Sequence, residues 1–285
     1  MKKTAAIFKA GVVLLAIAAI IVIVYGSVAI ATFSRADVKV YDGGKPTASP
    51  VEIIYNSLMF TDGSYRYGIQ VYVDVDSVTA NVSSAVAEAQ IEEAVKAKLK
   101  AVSDRFKEAG MRVDYDEEGF FVNAVLAEYS GAEEMSIANG ETGYDVGTSS
   151  GTVYNGFFFS DYVVSYRTAF ADAEADNYLN YVYGELTADG LLPLSDIDFV
   201  FNYGTAYSTK LIESDADYVY VFKSPDGKQS YVHEFRMSVD ERAREITLVQ
   251  HSPNTASWYL IVITAALIVT GVTFVVVGIK RAREN

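Results

Sequence analysis

The chain has 285 residues, 37 of them acidic and 23 basic, for a formal net charge of −14, with two histidines and no cysteine. An acidic balance of this size argues against nucleic acid or anionic headgroups as partners. The missing cysteines exclude disulfides, thiol catalysis and a lipid-modified cysteine anchor, and two separated histidines leave no ordinary zinc site.

Lys2, Lys3 and Lys9 precede an uncharged apolar run over 10–33. A helix rises about 1.5 Å per residue, so roughly 20 such residues cross a bilayer core of about 30 Å. Residues 1–9 therefore read as a cytoplasmic N-terminus and 10–33 as a transmembrane helix. A signal peptide is the second reading, with Val12–Val24 as its apolar stretch and Ala29-Ile30-Ala31 as its cleavage site; the length of the run favours retention. Residues 34–50, with Asp42-Gly43-Gly44, Pro46 and Pro50, form a linker.

A domain over 51–251 follows. Val51–Phe60 is strand-like, Thr61-Asp62-Gly63-Ser64 is a turn, and Tyr65–Asp76 alternates Ile69, Val71, Val73 and Val75 with polar residues, which predicts a hairpin. Between Ser84 and Ala109 the period changes. Ile91, Val95, Leu99, Val102 and Phe106 fall on one helical face, and Gly110 suits the helix stop. Met111–Tyr115 and Phe120–Tyr129 predict a second hairpin. The glycine-rich stretch Ser130–Gly151 reads as a loop.

The second half opens with a strand over Phe157–Phe170. A helix over Asp172–Ala188 carries Ala175, Leu179, Val182 and Leu186 on one face and stops at Asp189-Gly190. Strands are expected over Asp198–Ile212, Tyr218–Lys223, Ser230–Val239 and Glu245–Gln250. Pro253 lies in a juxtamembrane linker over 252–257, and Trp258–Ile279 reads as a second transmembrane helix. Lys280, Arg281 and Arg283 mark 280–285 as a cytoplasmic tail, because basic flanks stay inside. Trp258 and Tyr259 suit the outer headgroup layer. The fold class is α+β: antiparallel sheets with two amphipathic helices, between two transmembrane helices.

With Glu284 and the six flanking basic residues set aside, 36 acidic and 17 basic residues remain outside the membrane, a net of −19. An exported domain without cysteines fits a bacterial or archaeal envelope, and its length is enough to fold without staples.

Asp62-Gly63-Ser64 with its alternating strand, the amphipathic helix, Gly110-Met111-Arg112-Val113, Tyr115, Gly119 and Glu133-Glu134-Met135 resemble the extracytoplasmic module of LppM-like bacterial envelope proteins. The resemblance covers residues 62–135, and its motifs are turns and periodicity. It implies an envelope-associated, non-enzymatic role. Members of that family often begin as lipoproteins, whereas this chain has no cysteine.

Motifs that carry chemistry are few. His233 sits on a strand face with Tyr231, Phe235, Met237 and Val239 and reads as a packing residue; His251 reads as a juxtamembrane polar residue. Asp114, Asp116, Glu118 and Gly119 imitate a calcium loop, but its twelfth position is Val125. The pairs Asp74 with Asp76, Asp196 with Asp198 and Asp215 with Asp217 read as solvated edges. No catalytic residue, metal ligand or cofactor is assigned. The 21 tyrosines are the unusual feature, and Tyr178, Tyr181, Tyr183, Tyr218 and Tyr220 form a candidate interaction surface for a glycan or an envelope protein. The functional reading is a membrane-anchored extracytoplasmic interaction or sensing module, held by the lipid bilayer and without nucleic-acid partners. The alternative is a carboxylate-dependent enzyme acting on cell-wall glycan, whose mark would be two close acids in a deep cleft.

Overall fold

A computed structural model describes residues 2–33, 40–41, 49–80, 85–129, 144–146, 150–170, 177–192, 197–207, 212–238 and 243–284. The elements in chain order are α1 (Lys2–Phe33), β1 (Val40–Tyr41), β2 (Val51–Met59), β3 (Tyr65–Val73), α2 (Val75–Thr79), α3 (Ala85–Glu108), β4 (Arg112–Asp116) and β5 (Phe121–Tyr129). Then follow β6 (Tyr144–Val146), β7 (Ser150–Asn155), β8 (Phe159–Phe170), α4 (Tyr178–Thr187), β9 (Ile197–Thr205), β10 (Ile212–Ser214), β11 (Tyr218–Lys223), β12 (Gln229–Ser238), β13 (Ala243–Pro253) and α5 (Thr255–Arg283).

Eight strands form one sheet in the order β1-β11-β12-β9-β2-β3-β5-β4. A second sheet runs β10-β13-β8-β6, with β7 also on β8. The class is mixed α+β and mostly antiparallel, as expected. The exceptions are β1–β11 and the central pair β2–β9, which are parallel. That pair joins the two halves of the chain into one sheet. From Val51 to Leu58, β2 is buried on both faces, which is where a parallel pair belongs.

The main core lies on one face of the large sheet. Val95, Leu99, Val102 and Phe106 of α3 are fully buried against Val51, Ile53, Tyr55, Ile69 and Val71; Ile91 is half-buried at the rim. Leu179, Val182 and Leu186 of α4 extend this layer, and Ile246 and Leu248 bring the second sheet against it. Lys98 ties the two helices together: its Nζ donates to the Glu185 carbonyl at 2.9 Å and lies 3.1 Å from Asp189 Oδ1. A cation at a helix C-terminus meets the negative end of the dipole and unsatisfied carbonyls.

Several boundaries differ from the expectation. The alternating strand does not reach Asp76. Asp74 leaves the ladder and caps α2, its carboxylate accepting from the Ser77 amide. α4 begins at Tyr178, because Asn177 is extended and its side chain accepts from the Asn180 amide; Ala175 lies outside the described residues. The stretch read as one strand over Asp198–Ile212 is two, β9 in the large sheet and β10 in the other. Within the expected loop, Tyr144–Val146 and Ser150–Gly151 pair with β8; 130–143 and 147–149 lie outside the described residues. Only Asn254 separates β13 from α5, so no linker stands between domain and helix.

α1 and α5 pack as an antiparallel pair. The buried positions of α5 are Ser257, Thr264, Gly271 and Gly278, one per seven residues; those of α1 are Gly11 and Ala18. Small residues at heptad spacing let two backbones approach closely. The outer sides carry Ile20, Ile23, Ile30, Val262 and Val269, each more than 60 % exposed. Little of either helix is buried. Both helices are long and apolar enough to cross a membrane.

Candidate functional site

The second face of the large sheet is polar at its centre, and this follows from strand alternation. While Val51, Ile53 and Tyr55 face the core, Glu52, Ile54 and Asn56 face the other way; so do Asn202 on β9, Glu234 and Arg236 on β12, and Tyr218 and Tyr220 on β11. Arg236 is the hub. Its Nη2 donates to Glu52 Oε1 at 2.7 Å and its Nε to Glu234 Oε1 at 2.8 Å, while Nη1 lies 3.4 Å from Asp198 Oδ2. Ser49 donates to the same Asp198 carboxylate. The Glu52 and Glu234 side chains are 3 % and 0 % exposed and that of Arg236 is 11 % exposed. Burial alone would pull the guanidinium down; the charges of Glu52 and Glu234 outweigh it and hold Arg236 above its ordinary value. Beside this hub, Asn202 donates to Asn56 Oδ1 at 2.9 Å across the parallel pair.

At one end of this face the β2–β3 turn meets the β11–β12 turn. The Thr61 amide donates to the Gln229 carbonyl at 2.8 Å, and Lys228 Nζ reaches Ser64 Oγ at 3.0 Å. The Phe60 and Phe222 rings meet in a tilted pair, 6.4 Å apart. An open cleft of about 370 Å³ lies there, lined by Arg66, Arg112, Asn123, Asp226 and Lys228 among others. Its volume is within the range of small-ligand sites. Two of its acids, Glu128 and Asp226, are held ionised, and so is Asp62 beside Lys228. Burial would raise Glu128, but hydrogen bonds from Arg112 and Arg66 bring it below the usual range. The Ser224 hydroxyl lowers Asp226. Hydrogen bonds from the Ser64 hydroxyl and amide lower Asp62 to about 2.

The five candidate tyrosines do not make one surface. Tyr178, Tyr181 and Tyr183 lie on α4 and turn inward: Tyr178 against Phe106 at 5.8 Å, Tyr181 under Arg105 at 5.8 Å and Tyr183 against Phe199 at 5.6 Å. All three are half-buried on the core. Tyr218 and Tyr220 belong to the opposite, polar face. Arg236 stands 5.3 Å over the Tyr218 ring, and Tyr220 packs on Leu58, Phe60 and Val232. Burial, then the charges of Glu234 and Glu52, push the Tyr220 hydroxyl up. Helical and strand patterns give the side of each element, but not which layer covers that side, so the split was beyond the sequence.

His233 packs as expected: it is fully buried, and Ser214 Oγ and its Nδ1 share a hydrogen bond of 2.7 Å. Desolvation lowers it to about 4, so it is neutral in the folded domain at neutral pH. His251 lies near the start of α5, as expected, but does more than sit at that boundary. It is buried, with Nδ1 2.7 Å from Asp161 Oδ1 and Nε2 3.2 Å from Glu213 Oε1. Of the acidic pairs, Asp76, Asp215 and Asp217 are exposed, as expected of solvated edges, but two of these acids also carry hydrogen bonds. Asp215 accepts from the Thr247 amide, and Asp217 accepts from the Arg236 amide and from Arg244, so the two tie β10–β11 to β12 and β13. Asp196 lies outside the described residues. The calcium-like segment is a turn in which the Gly119 amide donates to Asp116 Oδ1 at 3.0 Å. Among the described residues, no group of three or more His, Asp or Glu could hold a metal ion.

No family model and no curated protein matches the chain. Among solved structures, the chain is similar to the folded domain of Mycobacterium tuberculosis LppM, determined by NMR, at 8 % identity and a TM-score of 0.26, over 76 % of this chain and 98 % of that one. This faint likeness of fold is to the family that residues 62–135 resemble.

Proposed function

We propose that the protein is a membrane-anchored interaction or sensing module of a bacterial cell envelope. Both helices stay in the bilayer, both termini are cytoplasmic and the domain between them is extracytoplasmic. The observation that carries this reading is the α1–α5 pair: two helices long and apolar enough to cross a membrane, joined along a small-residue seam and apolar on their outer sides. The basic residues at both ends set the orientation. Recognition falls to the polar face, with Tyr218 and Tyr220 beside Arg236 and the Arg66–Arg112–Lys228 cleft at its end, for a glycan or an envelope protein. The enzyme alternative needs one acid with a raised pKa; Glu128 and Asp226, which line the cleft, are shifted the other way.

The topology is tested with a tag after Asn285 and protease added to spheroplasts. The domain should be digested and the tag protected. A tag cleaved or labelled from outside would overturn the reading.

A further inference from the structure

The β7–β8 hairpin ends in Gly156-Phe157-Phe158, and its tip is fastened to both membrane helices. The Phe158 carbonyl accepts from the Asn254 amide at 3.0 Å and from the Ser257 hydroxyl. Asn254, the cap of α5, donates its Nδ2 to the carbonyls of Gly156 at 2.6 Å and Phe157 at 2.9 Å. On the other side, the Tyr25 ring of α1 meets Phe158 at 5.4 Å and Phe159 at 5.5 Å. The turn is tight: the Gly156 amide donates to the Phe159 carbonyl at 2.8 Å, and a Cβ on Gly156 would stand 2.7 Å from that oxygen.

Held in this way, the tip turns large apolar groups outward. Phe157 is 77 % exposed, with Tyr154 and Val153 behind it on β7; at the same level Trp258 and Tyr259 are exposed on α5. In a chain of net charge −14, residues 146–160 contain no charged side chain, and Ile246–Ile279 contains no Asp, Glu, Lys or Arg. The nearest acids above, Asp161 and Glu213, are both engaged by His251.

We propose that this hairpin tip docks into the headgroup layer of the bilayer that α1 and α5 cross, and so fixes the orientation of the domain on the membrane. The occupant follows from continuity. The tip hydrogen-bonds to the first turn of α5, so a bilayer that receives Trp258 and Tyr259 meets Phe157 at the same depth. Amphipathic and aromatic rings favour that layer, and a bare Phe at the tip of an uncharged hairpin does not favour water. The proposal rests on the membrane-spanning reading above.

The test uses the full chain, one copy per nanodisc, with lipids brominated near the top of the acyl chains. Trp258 is the only tryptophan, so the unmodified chain reports the outer end of α5. The double variant Phe157→Trp, Trp258→Phe reports the tip. Both should be quenched to a similar extent, and both emissions should be blue-shifted relative to exposed tryptophan. Quenching at 258 without quenching at 157 would overturn the docking and leave the spanning reading standing. A blue-shifted but unquenched tryptophan at 157 would overturn it in favour of a protein contact. Quenching at neither position would overturn the spanning reading and the docking with it. A second variant, Phe157→Asp, lies on the surface and leaves the core intact. It should make the Gly156–Phe158 turn cleavable by added protease in nanodiscs; equal resistance to the parent chain would count against docking.

Discussion

Gly11 of α1 and Gly271 of α5 meet backbone to backbone, so close that a Cβ on Gly11 would stand 2.7 Å from the Gly271 carbonyl oxygen. The contact belongs to a register. Gly278 lies against Phe8, Gly271 also against Leu15, and Ala18 and Thr264 are buried one heptad further along. Small residues at this spacing let the two backbones meet, as the proposed pair of retained helices would require.

The seam is directly testable because the chain contains no cysteine. Ala18→Cys with Thr264→Cys should form a disulfide on mild oxidation in membranes, seen as a mobility shift that reductant reverses. Val13→Cys, on the outer side of α1, should not link to Thr264→Cys. Gly271→Leu should reduce the first linkage. Equal linkage from both positions of α1 would mean that the helices share no fixed face.

Arg236→Met should be among the most damaging single changes, because it leaves Glu52 and Glu234 buried without their shared cation. Breaking such a pair costs roughly 3–5 kcal/mol. Adding Glu52→Gln and Glu234→Gln should restore part of that loss. Chemical denaturation of the full chain in detergent decides this, and a loss under about 1 kcal/mol would mean that water reaches the hub.

How much of this was legible depended on pattern. α3 could be placed almost to the residue, because Val95, Leu99, Val102 and Phe106 repeat at helical spacing and Gly110 takes the positive φ that ends the helix. The β2–β3 and β4–β5 hairpins were legible from their turns. The β2–β9 pairing was not, because both strands are largely buried on both faces and no period marks their partner. The site was less legible still. Arg236 carries no local motif; it becomes a hub only because β2 and β9 bring Glu52 and Asp198 to its side. His251 looked like a boundary residue because Pro253 and the apolar run follow it. Its partners Asp161 and Glu213 come from strands far away in sequence.

Lys98 and Lys100 make a controlled comparison on one helix. Lys98 is buried and holds the end of α4 through Glu185 and Asp189, whereas Lys100 pairs with Asp104 on the exposed side. Lys98→Met should lower stability by about 1–3 kcal/mol, since it leaves a helix-end carbonyl without its donor. Lys100→Met should leave the denaturation midpoint unchanged. Similar effects from both would mean that Lys98 contributes no more than a surface pair.

His233 should give the domain a distinct acid sensitivity. Burial lowers its folded-state value to about 4 from an ordinary 6.5, whereas the unfolded chain keeps the ordinary value. Above about 6.5 both states leave the imidazole neutral, and the group has no effect on stability. As pH falls from 6.5 towards 4, the unfolded chain gains a proton that the folded one resists, so stability falls across that window. Its full extent is roughly 3 kcal/mol, at about 1.4 kcal/mol per unit. The carboxylates with lowered values, such as Asp62, Glu128 and Asp226, lose their own contribution at lower pH, as they protonate in the unfolded and then the folded state. The parent chain and His233→Gln should therefore differ in slope between pH 6.5 and 4. Melting temperatures measured across that range should fall more steeply for the parent, and the two curves should run parallel above pH 7. Parallel curves throughout would show that the buried imidazole takes its proton in the folded state as readily as in water.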